Sequence, residues 1–517
     1  MTVETKPGTG TRRRRSASAA TAPETLGNPA YRRLQNPFEP LRLLSDDQIE
    51  AIHLTALAIL ENPGMRVLHA GARGHFAGAG AEVDPATMMV RLDRALVDAA
   101  LATAPRHVRL RGAAPERDVE VGGRNLAITT VGGPPNTSGL SEGKRPGSLG
   151  DYLDFVRLAQ SFDVIHLLNQ CVEPLDVELP LRHLEVTHAL LTLSDKPGFV
   201  FARGGPQTAD CFAMFRIARS LSDEAFAATP CCYTVINTNS PLQLDVPMVQ
   251  GIIDFAEAGQ LAIITPFTLA GAMAPITIVG ALVQQHAEAL FGITLAQIVR
   301  PGAPVVYGAF TSNVDMKSGA PAFGTPESVK AALGSGQLAR RIGVPWRSSN
   351  VNASNVPDAQ AAYESQMSLW GAMMGGCNIL LHGAGWLEGG LSASFEKFII
   401  DIEMLQMFAE LFQPLAFSAD ELGAAAIREV GPGGHFFAAA HTMSRYRTAF
   451  YQPLLSDRSN FGRWTEMGAK DAARRAHEVA KRTLADFEPP PQDPGIREAL
   501  DDFRERRIRE GGAPPES

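Results

Sequence analysis

The sequence predicts an α/β protein built on a (β/α)8 barrel, with an α-rich region ahead of the barrel and a helical extension behind it. Three observations lead there. From Asn125 onward, short β-rich apolar runs alternate with helical stretches, as parallel βα units do, and eight units can be counted. The segments before several strands end on helix breakers, at Ala258-Gly259, Pro301-Gly302 and Gly375-Gly376. The opposite strand ends run into polar or special residues, as in Asn237-Thr-Asn-Ser-Pro, Thr265-Pro-Phe-Thr and His382-Gly-Ala-Gly-Trp. That asymmetry is the one a TIM barrel needs, because its active site is assembled from the βα loops.

Taken in order, residues 1–38 read as a disordered tail: Arg12 to Arg15 precede a Ser/Ala/Thr/Pro stretch with no apolar core of a secretory signal. Residues 39–125 form the α-rich region, opened by the near capping box Ser45-Asp-Asp-Gln and by Ile52, Leu54, Leu57 and Leu60 at helical spacing. The barrel occupies 126–413. Its strands are expected at Leu126–Val131, Val164–Cys171, Gly198–Ala202, Cys232–Asn237, Leu261–Thr265, Pro304–Gly308, Val344–Ser348 and Asn378–Gly383. A doubly wound open sheet is the alternative, but no GxGxxG follows the first strand, and Gly132-Gly-Pro-Pro would start a helix poorly. Ile276–Val299 is long and apolar, yet Gln284, Gln285, His286 and Glu288 interrupt it at high insertion cost, so it reads as a buried barrel helix. Residues 414–488 form the helical extension, with Gly431-Pro-Gly-Gly-His at its neck and a charged helix from Met467 to Phe487, and 489–517 a peripheral tail.

A chain of 517 residues accommodates a barrel of about 250 residues with flanking segments. The net charge of -8, with no basic face, argues against nucleic acid as a partner. The cysteines Cys171, Cys211, Cys231, Cys232 and Cys377 are odd in number and form no CxxC or zinc pattern, so they read as reduced core residues. A cytoplasmic homo-oligomer with no membrane contact is expected.

The strand ends collect Asn169, Gln170, Glu173, Arg203, Asn237, Asn239, Thr268, Tyr307, Asn313, Asp315, Arg347, Asn350, Asn352, His382, Trp386 and Glu388. No lysine lies on or directly after a predicted strand, which disfavours a Schiff base. Only the last strand end offers a histidine with a carboxylate nearby, so no metal site is expected. Amides orient a substrate without strong proton transfer. Trp346 and Trp386, near Tyr307, Phe310 and Phe267, add aromatic faces that attract a quaternary ammonium group by cation–π attraction. Glu388 would complement that charge, while Arg347, Arg203 or His382 would meet an anionic end. Asp358 stands as either a helix cap or a site residue.

Several blocks carry a resemblance: Ala270-Gly-Ala-Met-Ala-Pro-Ile-Thr, Ala281-Leu-Val-Gln-Gln-His-Ala-Glu, Arg300-Pro-Gly-Ala-Pro-Val-Val-Tyr-Gly, Val356-Pro-Asp-Ala-Gln-Ala-Ala-Tyr-Glu and Leu381-His-Gly-Ala-Gly-Trp-Leu-Glu-Gly-Gly-Leu. Over roughly residues 40–485 the chain resembles the trimethylamine methyltransferase family. The resemblance implies a TIM barrel that moves a methyl group from a methylated amine to the cobalt of a cobalamin (corrinoid) carried by a separate protein. Trimethylamine-using members carry pyrrolysine in the loop that here reads Arg347-Ser-Ser-Asn-Val-Asn-Ala-Ser-Asn, and this chain has ordinary residues there. Relatives without pyrrolysine act on quaternary amines such as glycine betaine, whose nitrogen leaves as a neutral amine and needs no acid. No Asp-x-His-x-x-Gly pattern occurs, so the corrinoid is expected on the partner.

The expected function is therefore methyl transfer from a quaternary amine to a corrinoid protein. The expected substrate-binding residues are Trp386, Glu388, His382, Trp346, Arg347, Tyr307, Phe310, Asn237 and Asn350. Two alternatives stay open at this point: a quaternary-amine binder without transfer activity, and a cobalamin-independent barrel lyase or hydrolase using Asp315 or His382 as base.

Overall fold

The computed structural model describes residues 30–201 and 203–516. Most of the tail expected at 1–38 thus lies outside the described residues, as does Ala202 at the end of the third predicted strand. The barrel staves are β1 (Asn125–Ile128), β2 (Leu167 and Leu168), β3 (Gly198–Phe199), β4 (Cys232–Asn237), β5 (Leu261–Thr265), β6 (Val305–Gly308), β7 (Trp346–Ser349) and β8 (Ile379–Leu381). Parallel pairing runs β1-β8-β7-β6-β5-β4-β3. The ring closes through β2, where Leu167 bridges Thr129 and Leu168 bridges Gly198, both parallel. Leu34–Gln35 adds an antiparallel strand outside β1.

The second stave is far shorter than the predicted Val164–Cys171, and side chains explain why. The Ile128 amide donates to the His166 ring, and Asn169 N–H to the Thr130 hydroxyl, at 3.3 and 3.2 Å. Side chains thereby take backbone bonds that a regular ladder would use.

Eight helices follow the staves: α1 (Leu149–Ser161), α2 (Leu179–Leu193), α3 (Gly205–Arg219), α4 (Val246–Glu257), α5 (Ile278–Val299), α6 (Pro326–Ile342), α7 (Ala359–Gly375) and α8 (Phe395–Leu411). Side-chain caps start most of them, among them Ser148, Asp245, Thr277, Thr325 and Ser394. Asp358 is another cap, accepting from Ala361 N at 3.2 Å. The apolar helix α5 is long enough to cross a membrane, but 78% of its most apolar window is buried inside the protein.

Inside the ring, alternate residues point to the axis. Ala127, Leu167, Tyr233, Leu261, Ile263, Val306, Ile379 and Leu381 form one cluster, closed at the N-terminal end by the hairpin Val108–Leu110 and Val119–Val121. The opposite end stays open.

The expected peripheral tail 489–517 contains a docked helix, Pro494–Arg509, packed on α2 and α3. A thin stripe of Ile496, Leu500 and Phe503 seats it, and Arg507 bonds the Asp210 carboxylate at 2.8 and 3.0 Å. The surrounding charges hide that stripe in the sequence.

On α4, burial is the main cause that pushes the Asp254 carboxyl up to about 6, with Glu257 and Glu516 adding repulsion. Its folded pKa exceeds the unfolded value of about 3.9. The associated stability is therefore full below pH 4 and is lost as pH rises through 6. Asp254→Asn is expected to raise the melting temperature more at pH 8 than at pH 5. A pH-independent change in thermal melts would count against this assignment.

Candidate active site

A cavity of about 300 Å3 opens at the C-terminal end of the staves. Its walls explain which strand-end residues share a site. Strand alternation turns Arg347 inward on β7, and the same pleat turns Trp346 outward. Trp346 packs instead between the barrel and its helices, so close to α7 that a Cβ on Gly375 would fall 2.6 Å from its ring. Tyr307 on β6 also faces outward. Its hydroxyl meets Gln285 Nε2 at 3.0 Å and His286 Nδ1 at 3.1 Å on α5, and His286 continues to His53 at 2.9 Å. Neither aromatic belongs to the cavity.

Five expected residues do meet there: Asn237, Phe310, Arg347, His382 and Trp386. Beyond the barrel ends, Phe267–Ala270 and Phe310–Val314 prolong β5 and β6 as a second parallel pair, in which Phe267 stands opposite Phe310. Their rings lie 4.9 Å apart by centroid. Phe310 approaches His382 at 5.6 Å and Trp386 at 6.1 Å, and His382 approaches Trp386 at 4.3 Å. Phe199, Phe201 and Met248 complete the apolar wall, with Asn169 as a further amide. The sequence reading did not place Phe199 and Phe201, although their spacing of two within the predicted run Gly198–Ala202 was the available signal.

The remaining two expected residues are engaged elsewhere. Asn350 is fully buried and donates to Gly383 O at 2.9 Å and Asp401 Oδ1 at 3.2 Å, so it braces the β8 loop. Glu388 accepts from Lys144 Nζ and Ser392 Oγ, each at 2.7 Å, outside the cavity wall. The reason is local geometry. Glu388 has a φ of 54°, and the turn it makes aims Gly389 and Gly390, not the carboxylate, at the cavity. Gly390, at φ 100°, lies so close to the Trp386 ring that a Cβ would sit 2.5 Å from it.

Comparisons with known proteins decide the family. The model of the trimethylamine methyltransferase (MTTB) family matches residues 8–512. The chain belongs to the trimethylamine methyltransferase family. It is 35% identical over 472 residues to the glycine betaine methyltransferase of Desulfitobacterium hafniense, covering 91% of this chain and 98% of that one. It is 29% identical over 449 residues to a trimethylamine methyltransferase of the same species, covering 86% and 90%. The solved monomethylamine methyltransferase of Methanosarcina barkeri shares the fold, with a TM-score of 0.50 at 12% identity over 89% of this chain and 91% of that one. The chain is thus a methyltransferase on a (β/α)8 barrel.

The electrostatics of this methyltransferase centre on Arg347. Its guanidinium is buried, donates to Ala309 O at 3.0 Å, lies 5.1 Å over the Phe310 ring, and leaves Nε without a partner. Burial pulls its pKa down to about 9, which still leaves it charged at neutral pH. Among the described residues no carboxylate lines the cavity. Arg203, the other arginine considered for an anionic end, is already bonded to Glu173 at 2.7 Å. Next to Arg347, burial and the guanidinium charge hold His382 well below its ordinary pKa, so its ring is neutral. His382 adopts a left-handed φ of 57° that turns the ring to the cavity, and its Nδ1 has no partner. Asp315 lies in an exposed turn, bonded to Ser318 at 2.7 Å, and offers no base to the cavity.

Below the cavity a fully buried ion pair supports the β8 loop. Lys397 Nζ donates to Asp401 Oδ1 at 2.5 Å and Ser365 Oγ at 2.9 Å, while Asp401 Oδ2 accepts from Gly385 N at 2.9 Å. Asn352 closes the frame, donating to Trp386 O at 2.8 Å and accepting from Trp386 Nε1 at 3.1 Å.

Because Lys144 already neutralises Glu388, Glu388→Gln is expected to leave the affinity for a cationic ligand within about twofold. Loss of a partly exposed pair of this kind costs about 0–1 kcal/mol of stability. Calorimetric titration with glycine betaine checks it, and a tenfold weakening would return Glu388 to the site.

Proposed function

We propose that this methyltransferase takes a methyl group from a zwitterionic quaternary amine, with glycine betaine as the type, and delivers it to a corrinoid held by a separate protein. One observation carries the substrate reading: a buried guanidinium, with no carboxylate against it among the described residues and its Nε unbonded, faces a cavity whose other walls are aromatic and amide. An isolated buried charge is costly, and a substrate carboxylate would relieve that cost. The aromatic faces of Trp386 and Phe310 then receive the quaternary nitrogen by cation–π attraction. The similarity to a glycine betaine methyltransferase supports the same class.

The fit to the corrinoid follows from size. A cavity of about 300 Å3 suits a small zwitterion and lacks room for a corrin ring, so the ring must approach from the open mouth. When its carrier docks there, the reduced corrinoid supplies a Co(I) nucleophile for the methyl group. The chain's own residues bind and orient. Arg347 anchors the carboxylate, the rings hold the nitrogen, and the departing methyl points to the mouth. The amine leaves neutral, so the uncharged His382 donates no proton to it and serves as a polar contact. Acceleration on this reading comes from orientation.

The test mixes the protein with reduced cob(I)alamin and, in turn, glycine betaine, choline and trimethylamine, and follows corrinoid methylation by absorbance. Methylation with the carboxylate-bearing donor and little with the others is the expected result. Equal rates with choline would remove Arg347 from substrate selection, and no methylation by any donor would overturn the transfer reading.

A further inference from the structure

We infer that Arg203 is a positioning residue for methyl transfer, holding the Phe201 ring at the cavity wall, and that a strap formed by residues 510–516 holds Arg203 in turn. For its effect on activity this rests on the betaine reading of the cavity; the link from strap to wall does not. β3 is a short stave, Gly198–Phe199, and its ladder ends where Val200 N donates to Tyr233 O at 2.9 Å. Phe201 stands beyond that bond, so other contacts must limit its backbone freedom. It lines the substrate cavity on one side and, on the other, a void of about 20 Å3 bordered by Gln170, Arg182, His183 and Arg203. A ring set between two spaces can shift toward either, so whatever backs it sets the shape of the cavity.

Arg203 backs it. Its guanidinium carbon lies 4.1 Å from the Phe201 ring centroid, within the range of cation–π attraction. Arg203 Nη2 donates to the Glu173 carboxylate at 2.7 Å, and Arg203 N donates to Phe201 O at 3.0 Å, which closes a tight turn. Glu173 is buried and is itself fixed by Gln170 Nε2 at 2.8 Å and Arg182 Nη1 at 3.1 Å. The side chain behind the wall is therefore clamped from the β2 side of the barrel.

The main chain of the same residue is held from the far end of the sequence. Arg203 O accepts from Glu516 N at 2.9 Å. Beside it Gly204 has a φ of 113°, and a Cβ there would fall 2.7 Å from the Glu516 side chain, so turn and strap fit together only with glycine. Gln207 Nε2 donates to Ala513 O at 2.8 Å, and the buried Ala513 donates its N–H to Pro180 O at 3.0 Å. Pro514 and Pro515 stiffen the chain between these bonds and Glu516, so the two anchors move together. The docked helix Pro494–Arg509 thus carries a strap across the starts of α2 and α3 to the residue whose side chain backs Phe201.

Two variants test this, both expected to keep the wild-type far-ultraviolet circular dichroism spectrum: Arg203→Met, in which Arg182 still pairs with Glu173, and a chain ending at Gly512. Amide hydrogen exchange of the unliganded protein reads the link without a substrate. The Val200 and Arg203 amides should exchange roughly tenfold faster in both variants, while those of β5 stay as in wild type. Calorimetry with glycine betaine and steady-state methylation of cob(I)alamin read the consequence. In Arg203→Met, Kd and KM should rise about two- to 30-fold, the worth of a cation–π contact, with kcat within about twofold, and the shortened chain should move the same way. On a Phe201→Ala background Arg203→Met should add less than about twofold, because its effect runs through that ring. Unchanged exchange in either variant, wild-type betaine affinity in both, or additive losses in the double variant would overturn the inference. Faster exchange in a protein that binds no betaine would instead keep the strap-to-wall link and remove the betaine reading.

Discussion

Arg347→Met is expected to weaken glycine betaine binding by about 30-fold to several thousandfold while leaving the unliganded protein as stable as wild type or more so. The two effects have one cause. Removing one member of a buried charge pair costs about 2–5 kcal/mol, and each 1.4 kcal/mol is tenfold in affinity. Among the described residues no carboxylate faces Arg347, so methionine relieves a buried charge and retains much of the apolar stem packing. Calorimetry and thermal melts on the same preparation read both. Loss of stability and affinity together would indicate a structural guanidinium instead of a waiting anion site. A pH profile adds a second reading: the guanidinium is charged below its lowered pKa of about 9, so betaine affinity should be flat through neutral pH and fall above 9. His382, held neutral, should contribute no step near its ordinary pKa of about 6.5.

The barrel was legible because its signals are local. β4 and β5 occur at the predicted bounds, Cys232–Asn237 and Leu261–Thr265, since each is an apolar run closed by a turn residue. The site was half legible for a reason of pleat geometry. Trp346 and Arg347 are adjacent, so one strand cannot present both to one cavity, and only the register of β7 says which faces in. The same rule separates Tyr307 from Phe310, which reaches the cavity because the chain starts a new strand after Ala309. The pairing of Glu388 was not legible because a carboxylate beside a tryptophan gives no hint of Lys144, 244 residues away and delivered by the hairpin Asn136–Gly139 and Gly143–Pro146. Lys397 and Asp401 were invisible for the opposite reason. An i, i+4 Lys/Asp pair on a helix normally reads as a solvent-facing bridge, and only the packing of α8 on the barrel buries it.

Lys397→Met carries the second large effect, an expected loss of about 3–5 kcal/mol of stability. Among the described residues the lysine is the only cation bonded to the buried Asp401, whose carboxylate also holds Asn350 and Gly385. Without it, the fold must bury a bare anion or protonate it. Burial already raises the Asp401 pKa against the pull of Lys397, and removal of the lysine raises it further. For a carboxyl raised above its unfolded pKa, stability is present at low pH and lost as pH rises, so the deficit should be larger at pH 8 than at pH 5. Denaturant unfolding at the two pH values checks the sign. Catalysis should fall as well, because Gly385 N anchors the loop that sets Trp386 against His382 and Phe310. A variant that lost stability equally at both pH values, with betaine affinity intact, would show that the pair supports α8 alone and leaves the aromatic wall to other contacts.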